Sequence, residues 1–263
     1  MTDRSTVDVE AAAPAAAPGA APRMRRIGAQ TRVELLLTLR RGESLLLTFA
    51  IPVGLLVFFA KVDLLGIDRD EVVDFLYPGI IALAVLSTAM VSLAIATGFE
   101  RSTGVLKRLA VTPLRRGELL AAKTLSIVAI ELLQFVVLTA EGVALGWRPD
   151  GVLVGSLVGG IALGTIAFAG LGLLLAGTLP ALTTLAAANG LYIVLLLLGG
   201  VIVPIDHFPD GFQPVTKALP ATALSEICRG ALNGSGVPGH AWIVLAVWTI
   251  LTPALAARFF RWE

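Results

Sequence analysis

One stretch of the chain, residues 151–205, contains no Asp, Glu, Lys or Arg. A helix needs roughly 20 apolar residues to cross the hydrocarbon core of a bilayer, so this stretch is long enough for two crossings. Pro180 divides it, because proline disfavours helical geometry in the residue before it, here Leu179. The pattern predicts two membrane-spanning helices joined by a tight turn.

The composition extends this interpretation to the whole chain. Of its 263 residues, 56% are hydrophobic and only 15% are charged, whereas a typical soluble domain has about 25% charged residues. A single soluble core could not bury so much apolar surface. We therefore predict an all-α polytopic membrane protein with six transmembrane helices. The predicted spans are 44–60, 77–99, 119–146, 152–179, 184–203 and 240–257.

The segments between and before the spans differ in character. Residues 1–23, rich in alanine and proline, are expected to form a disordered tail, and residues 24–263 a single transmembrane domain. Arginines that alternate with apolar residues in 24–43 predict an amphipathic helix on the membrane surface; a short helix packed on a partner protein fits the same pattern. The outer segment 204–239 contains several prolines among apolar residues and is expected to form short helices that dip into the outer interface, or a lid.

The distribution of basic residues predicts the orientation. With both termini in the cytoplasm, the inner segments contain seven basic residues before the first span, six around the loop 100–118 and two after the last span, fifteen in all. The outer segments then contain five. Cytoplasmic loops of membrane proteins carry an excess of Lys and Arg. We therefore expect a multi-pass protein of the plasma membrane, in bacteria the inner membrane, with both termini cytoplasmic.

Residue counts argue against several kinds of site. A net charge of +1 gives no electrostatic reason to expect nucleic-acid binding. One cysteine, Cys228, and two histidines, His207 and His240, make a cysteine or histidine metal site improbable. None of the four lysines belongs to a phosphate-binding G-x-x-x-x-G-K-[ST] loop. We expect no cofactor in this chain.

The loop between the second and third spans carries a dense motif. Residues 100–123 read E-R-S-T-G-V-L-K-R-L-A-V-T-P-L-R-R-G-E-L-L-A-A-K. The segment is basic, and its apolar residues are too few to cross a membrane. Thr112 followed by Pro113 predicts the start of a short helix. Composition fits two interpretations equally: a helix presented to a soluble partner, or a solvated basic loop that serves only the topology.

This motif, together with the later segments 199–209 and 219–232, resembles the permeases of type-2 ABC exporters, which include drug and antibiotic exporters. The residues 221–222 depart from the usual proline-containing start of the outer helix. The resemblance implies a permease that pairs with a second, identical or homologous, permease and with two copies of a cytoplasmic ABC ATPase, which would bind ATP and magnesium. The residues that match the family's coupling element are Glu100, Arg101, Gly104, Leu106, Lys107, Leu109, Thr112, Pro113 and Leu114.

The resemblance also implies export from the cytoplasm by alternating access. A hydrophobic small molecule, such as a drug or antibiotic, is the expected substrate, and a lipid or lipid-linked polymer is the alternative. A stand-alone secondary transporter would have no use for the loop 100–118, and such proteins often show repeated halves, which this sequence lacks. An intramembrane enzyme would need catalytic residues within the bilayer, yet no Asp lies in a predicted span, His207 lies outside the spans, and His240 is only the first residue of the last one.

Polar residues within the spans are candidates for the export path. Glu131 and Gln134 share a face of the third span with Lys123 and Glu141. A charge at mid-membrane costs about 2.5–3.5 kcal/mol and usually faces a bundle interior or a watery cavity. Glu131 fits either a polar wall of the path or a hydrogen bond to a neighbouring span. The resemblance sets the second and fifth spans beside the central path, which adds Ser87, Thr88, Ser92, Asn189 and Tyr192 as candidates.

Overall fold

The computed structural model describes residues 21–40, 42–62, 69–112, 114–149, 151–202 and 205–260. These residues form eleven α-helices and no strand. The predicted tail 1–23 lies, up to residue 20, outside the described residues. The helices are α1 (Arg23–Arg40), α2 (Gly42–Lys61), α3 (Arg69–Val85), α4 (Leu93–Ser102), α5 (Val105–Ala110), α6 (Arg116–Ala144), α7 (Val154–Thr178), α8 (Ala181–Leu198), α9 (Gln213–Lys217), α10 (Pro220–Leu232) and α11 (Gly239–Phe259).

Five helical stretches are long and apolar enough to cross a membrane, and they correspond to predicted spans two to six. They are Val72–Ser102, Gly117–Ala144, Val154–Thr178, Ala181–Leu198 and Gly239–Phe259. The prediction of an all-α polytopic membrane protein is therefore confirmed. The predicted first span, 44–60, lies within the helix α2, but the apolar stretch described there, Thr48–Lys61, is shorter than a full crossing. The count of six spans thus stays a prediction.

Two boundaries differ more than the others from those predicted. The second span begins earlier than residue 77, because the helix α3 starts at Arg69 and carries its charged first turns beyond the apolar run. The fifth span ends at Leu198 rather than 203. The helix stops there because Gly200 adopts a φ of +64°, a left-handed conformation that residues with a Cβ rarely adopt.

The helix α7 forms the centre of the bundle and packs against α4, α10 and α11. The four-residue spacing of Gly160 and Gly164 predicts close helix approach, and the structure agrees. A Cβ atom at Gly164 would lie 2.8 Å from the side chain of Leu224, and one at Gly160 would overlap Ile227. Both partners lie on α10, so the glycines admit this short helix into the bundle.

The helix α10 is buried on nearly all its residues. It begins at Pro220, with proline in the first helical turn as expected for a helix start. It packs between α3, α7 and α11, and its place relative to the outer interface stays a prediction. The end of the bundle that contains α10 is called the α10 end here, and the opposite end, with α1, α5 and the start of α6, the α5 end.

Candidate coupling element and transport cavity

The predicted coupling loop folds as one short helix, α5, that follows directly on α4. Gly104 joins the two helices with a φ of +73°, which explains why glycine stands at this position. The Thr112 hydroxyl donates a hydrogen bond to the Leu109 carbonyl at 2.6 Å. Thr112 therefore closes the end of α5, and the prediction that it begins a helix is wrong. Pro113 lies outside the described residues, and the next helix starts at Arg116.

The apolar side of α5 faces its own bundle. Leu106 is fully buried, with 0% of its surface exposed, and Leu109 and Leu114 are half-buried. Leu106 therefore packs within its own chain and attaches α5 to the bundle. The outer side of the helix exposes basic side chains, and Val111 just beyond it is 87% exposed. The exposed basic residues are Lys107 and Arg108.

A buried ion-pair cluster joins three helices behind α5. The Lys123 ammonium on α6 donates to Glu34 Oε2 on α1 at 3.0 Å and to Glu100 Oε2 on α4 at 2.6 Å. The Lys123 side chain is only 2% exposed. Removing one partner of such a buried cluster is costly, because it leaves an uncompensated charge away from water. Through these hydrogen bonds, Glu100 connects the end of α4 to α6 and, by way of Lys123, to α1.

Two arginines make further connections at the α5 end. The Arg101 guanidinium donates to the Leu179 carbonyl in the turn between α7 and α8. Arg26 on α1 holds the Glu118 carboxylate at 2.5 and 3.1 Å. That hydrogen bond raises the pKa of Arg26 above its ordinary value. Glu118 also accepts the backbone N–H of Arg115 at 3.0 Å, which caps the start of α6. The coupling motif is thereby attached to α1, α6 and the α7–α8 turn.

The helices α3 and α4 are joined without a break by a π-helical segment, Leu86–Ser92. Such segments are rare within α-helices and frequently occur at functional sites. Three of the predicted path residues, Ser87, Thr88 and Ser92, lie in it. Thr88 donates to Gln134 Oε1 at 2.6 Å. Gln134 in turn donates to a backbone carbonyl of α2 at 3.0 Å, so it links α2, α6 and the π segment.

A cavity of about 390 Å³ lies beside the π segment. Its walls come from α1, α2, α4, α6 and α8 as well as from the π segment. The predicted path residues that line it are Ser87, Thr88, Ser92, Asn189 and Tyr192. Glu34 and Lys123 line it on the side of the ion-pair cluster, and Tyr192 lines it from α8. The Tyr192 hydroxyl is buried and has no hydrogen-bond partner among the described residues.

Glu131 and Gln134 do not line this cavity. Glu131 is 1% exposed and accepts a hydrogen bond from the Thr165 hydroxyl of α7 at 2.7 Å. The structure therefore supports the interhelical hydrogen bond, one of the two interpretations of Glu131. The polar face of α6 divides its contacts: Lys123 turns to α1 and α4, Glu131 to α7, and Gln134 to α2 and the π segment.

The sequence model of a protein family described as ABC-2 type transporter matches residues 25–233, which is most of the chain. This chain belongs to the ABC-2 type transporter family. It is accordingly a transmembrane permease subunit of an ABC transporter, a multi-pass membrane protein that provides the channel part and is not itself the catalytic part. Permeases of this family normally work with an ATPase subunit. A search of curated proteins found no match.

Two side chains with central contacts in this ABC-2 permease were missed as candidate site residues. Glu34 stood out in the sequence only as an acid beside three leucines in an arginine-rich helix. Arg229 at the α10 end donates to the Gly200 carbonyl at 2.8 Å and lies 4.1 Å from the centre of the Phe75 ring. Burial lowers the pKa of Arg229 to about 10. Nothing in its local sequence signals this contact.

Proposed function

We propose that this ABC-2 permease exports a hydrophobic small molecule from the cytoplasm by ATP-driven alternating access. It would act as a pair of permeases, identical or homologous, with two copies of a cytoplasmic ABC ATPase, in the plasma membrane of a bacterium. Both termini and the α5 end would face the cytoplasm. The observation that carries the proposal is the arrangement of α5, a basic helix exposed on one side and attached on the other to the helices that line the cavity.

The contacts of α5 suggest how a partner's movement reaches the cavity. Lys107, Arg108 and Val111 are exposed and free to meet an ATPase. Leu106 holds α5 to the bundle, and the Glu100–Lys123 ion pair continues the connection. Because Lys123 also lines the cavity, a displacement of α5 would change the cavity wall. The residues of the coupling element thus act in two groups, one toward the partner and one within the permease.

The cavity supports a small-molecule substrate over a lipid-linked polymer. Its volume of about 390 Å³ falls within the range of roughly 300–1,000 Å³ for small-molecule sites. Apolar side chains such as Ile51, Val91 and Ile127 line most of it, with hydroxyl groups between them. Such a wall suits a largely hydrophobic molecule. ATP and magnesium would bind to the partner ATPase, because this sequence has no phosphate-binding loop of the G-x-x-x-x-G-K-[ST] kind.

Substitutions at opposite ends of the bundle test this function. Val111→Asp changes an exposed valine at the α5 end, and Val215→Asp makes the same change at an exposed valine of the α10 end. The permease is purified from membranes of its own host, and the ABC ATPase that accompanies it is measured by mass spectrometry. Export is then followed as the uptake of a hydrophobic dye into inside-out vesicles with ATP, with and without magnesium.

The proposal expects ATP- and magnesium-dependent transport, with Val111→Asp reducing both ATPase recovery and transport severalfold. Val215→Asp should leave both at the wild-type level. Transport driven by a proton gradient without any associated ATPase would instead identify a secondary transporter. Equal effects of the two substitutions would remove the special role of the α5 end.

A further inference from the structure

The cavity includes a wall from α1, a helix that the sequence predicts to lie on the membrane surface. Glu34 and Thr38 of α1 line the cavity together with Lys123 and Ser126 of α6. Hydroxyl-bearing residues of the π segment and of α8, together with apolar residues, line the rest of the same cavity. The lining residues from α1 and α6 are called the charged side of the cavity here, and the hydroxyl-bearing residues of the π segment and α8 the hydrogen-bonding side.

The hydrogen-bonding side contains one buried hydroxyl without a partner among the described residues, that of Tyr192. Tyr192 is 9% exposed, lines the cavity, and its hydroxyl has no partner among the described residues. Buried polar groups in proteins almost always have a hydrogen-bond partner, so a specific exception calls for an explanation. A ligand that carries a hydrogen-bond acceptor would satisfy this phenol. The second tyrosine of the chain, Tyr77, lies elsewhere and already shares a hydrogen bond of 2.7 Å with Thr139.

On the charged side, the Glu34 carboxylate shares the Lys123 ammonium with Glu100. Lys123 donates to Glu34 at 3.0 Å and more closely to Glu100, at 2.6 Å. Glu34 lines the cavity, and its other oxygen, Oε1, accepts a hydrogen bond from the Gln30 amide at 2.8 Å. An ammonium bound to Glu34 would take the place of Lys123 there, while Lys123 stays with Glu100. Hydrogen bonds between charged groups are roughly twice as strong as neutral ones.

We propose that this cavity binds an amphipathic amine, with its ammonium group on Glu34, a hydrogen-bond acceptor on the Tyr192 hydroxyl and its apolar body between them. This names the substrate class of the exporter and, in that respect, rests on the proposed function. The binding itself belongs to the permease and requires no ATPase. It also gives α1 a direct role at the ligand, in addition to any contact with the membrane surface.

Three fluorescent probes of one shape test the proposal. They are N-dansyl-1,5-diaminopentane and its two analogues in which the terminal amine is replaced by a hydroxyl or by a carboxylic acid. Their binding is measured on the full-length permease in lipid nanodiscs without ATPase. We expect the amine to bind about tenfold more tightly than the alcohol, because only the amine forms a charge-assisted hydrogen bond. The acid should bind most weakly.

Matched variants separate the two ends of the ligand. Glu34→Gln should remove the preference for the amine over the alcohol. Tyr192→Phe should weaken the amine and the alcohol equally, about two- to tenfold, as expected for one neutral hydrogen bond. The controls are Glu226→Gln and Tyr77→Phe, which make the same changes outside the cavity and should leave the ratio of the two affinities unchanged. Tyr192→Phe does not touch the ion-pair cluster, so it tests the site even if Glu34→Gln folds poorly.

Several results would overturn the proposal. They are equal wild-type affinity for the amine and the alcohol, tighter binding of the acid, and a Tyr192→Phe variant that binds both probes like wild type. A failure of the proposed function gives a different result, since amine-selective binding would then persist in nanodiscs while ATP-dependent transport is absent. Loss of amine selectivity with intact ATP-dependent transport would refute the site alone.

Discussion

Replacing Lys123 with methionine is expected to destabilise the α5 end of the permease. Methionine fills a similar volume but removes the ammonium that lies 3.0 Å from Glu34 and 2.6 Å from Glu100. The Lys123 side chain is 2% exposed and both carboxylates are largely buried. Removing one partner of a buried ion pair costs about 3–5 kcal/mol, because the remaining charge stays away from water. For a chain of this size, that corresponds to a fall in the unfolding midpoint of about 6–20 °C.

The assay is thermal unfolding of the detergent-purified permease, followed by fluorescence-detected gel filtration. Lys217→Met serves as the control, since Lys217 is an exposed lysine at the α10 end, and it should change the midpoint little. Adding Glu34→Gln and Glu100→Gln to Lys123→Met removes the unpaired charges. The triple variant should therefore recover most of the lost stability, because an uncharged cluster no longer bears the desolvation cost.

Two outcomes would contradict this reasoning. A Lys123→Met variant that unfolds within the error of wild type would mean that the cluster contributes little to the packing of α1, α4 and α6. A triple variant no more stable than Lys123→Met would mean that the loss arises from packing around the lysine chain and not from the two carboxylates.

Four further predictions concern other parts of the permease. Leu106→Ala should cost about 2–5 kcal/mol of local packing and uncouple ATP hydrolysis from transport while the ATPase still co-purifies; unchanged transport per ATP would contradict it. Glu131→Gln should transport like wild type, because an amide oxygen still accepts the hydroxyl of α7, whereas a tenfold loss would restore Glu131 to the export path. Ser235→Cys should react with an impermeant maleimide on intact cells, and labelling only after lysis would reverse the orientation. Cys228 should stay unlabelled at pH 8, because burial raises its pKa to about 12 and the thiolate is the reactive form.

The transmembrane helices could be predicted from the sequence because their signal is local. Each stretch without charge is visible in a window of about 20 residues, and the helices α6, α7 and α11 begin and end within a few residues of the predicted spans. The predicted boundaries are wrong where the end of an uncharged stretch is not the end of the helix. The helix α3 continues through acidic residues to Arg69, and α8 stops early at a glycine pair.

The orientation of side chains in the coupling motif could not be predicted in the same way. Leu106 and Val111 are both apolar and five residues apart, yet one is buried and the other 87% exposed. Which side of a six-residue helix is buried depends on helices distant in sequence. The ion-pair cluster has the same origin, since Lys123 lies 89 residues from Glu34. A single sequence contains the charges but not their pairing.

The π-helical segment Leu86–Ser92 determines how far the second half of the second span is rotated about the helix axis relative to the first half. A π turn contains one residue more than an α turn, and one residue corresponds to a rotation of about 100° in an α-helix. The half before the segment is buried on most of its surface, so it cannot turn. Deleting one residue, such as Ala89, would therefore rotate the half that follows, and Glu100 and Arg101 would swing away from Lys123 and Leu179. The extra residue in the π segment thus sets the direction in which the following helix points its side chains. The number of residues in this segment therefore decides whether Glu100 and Arg101 reach their partners.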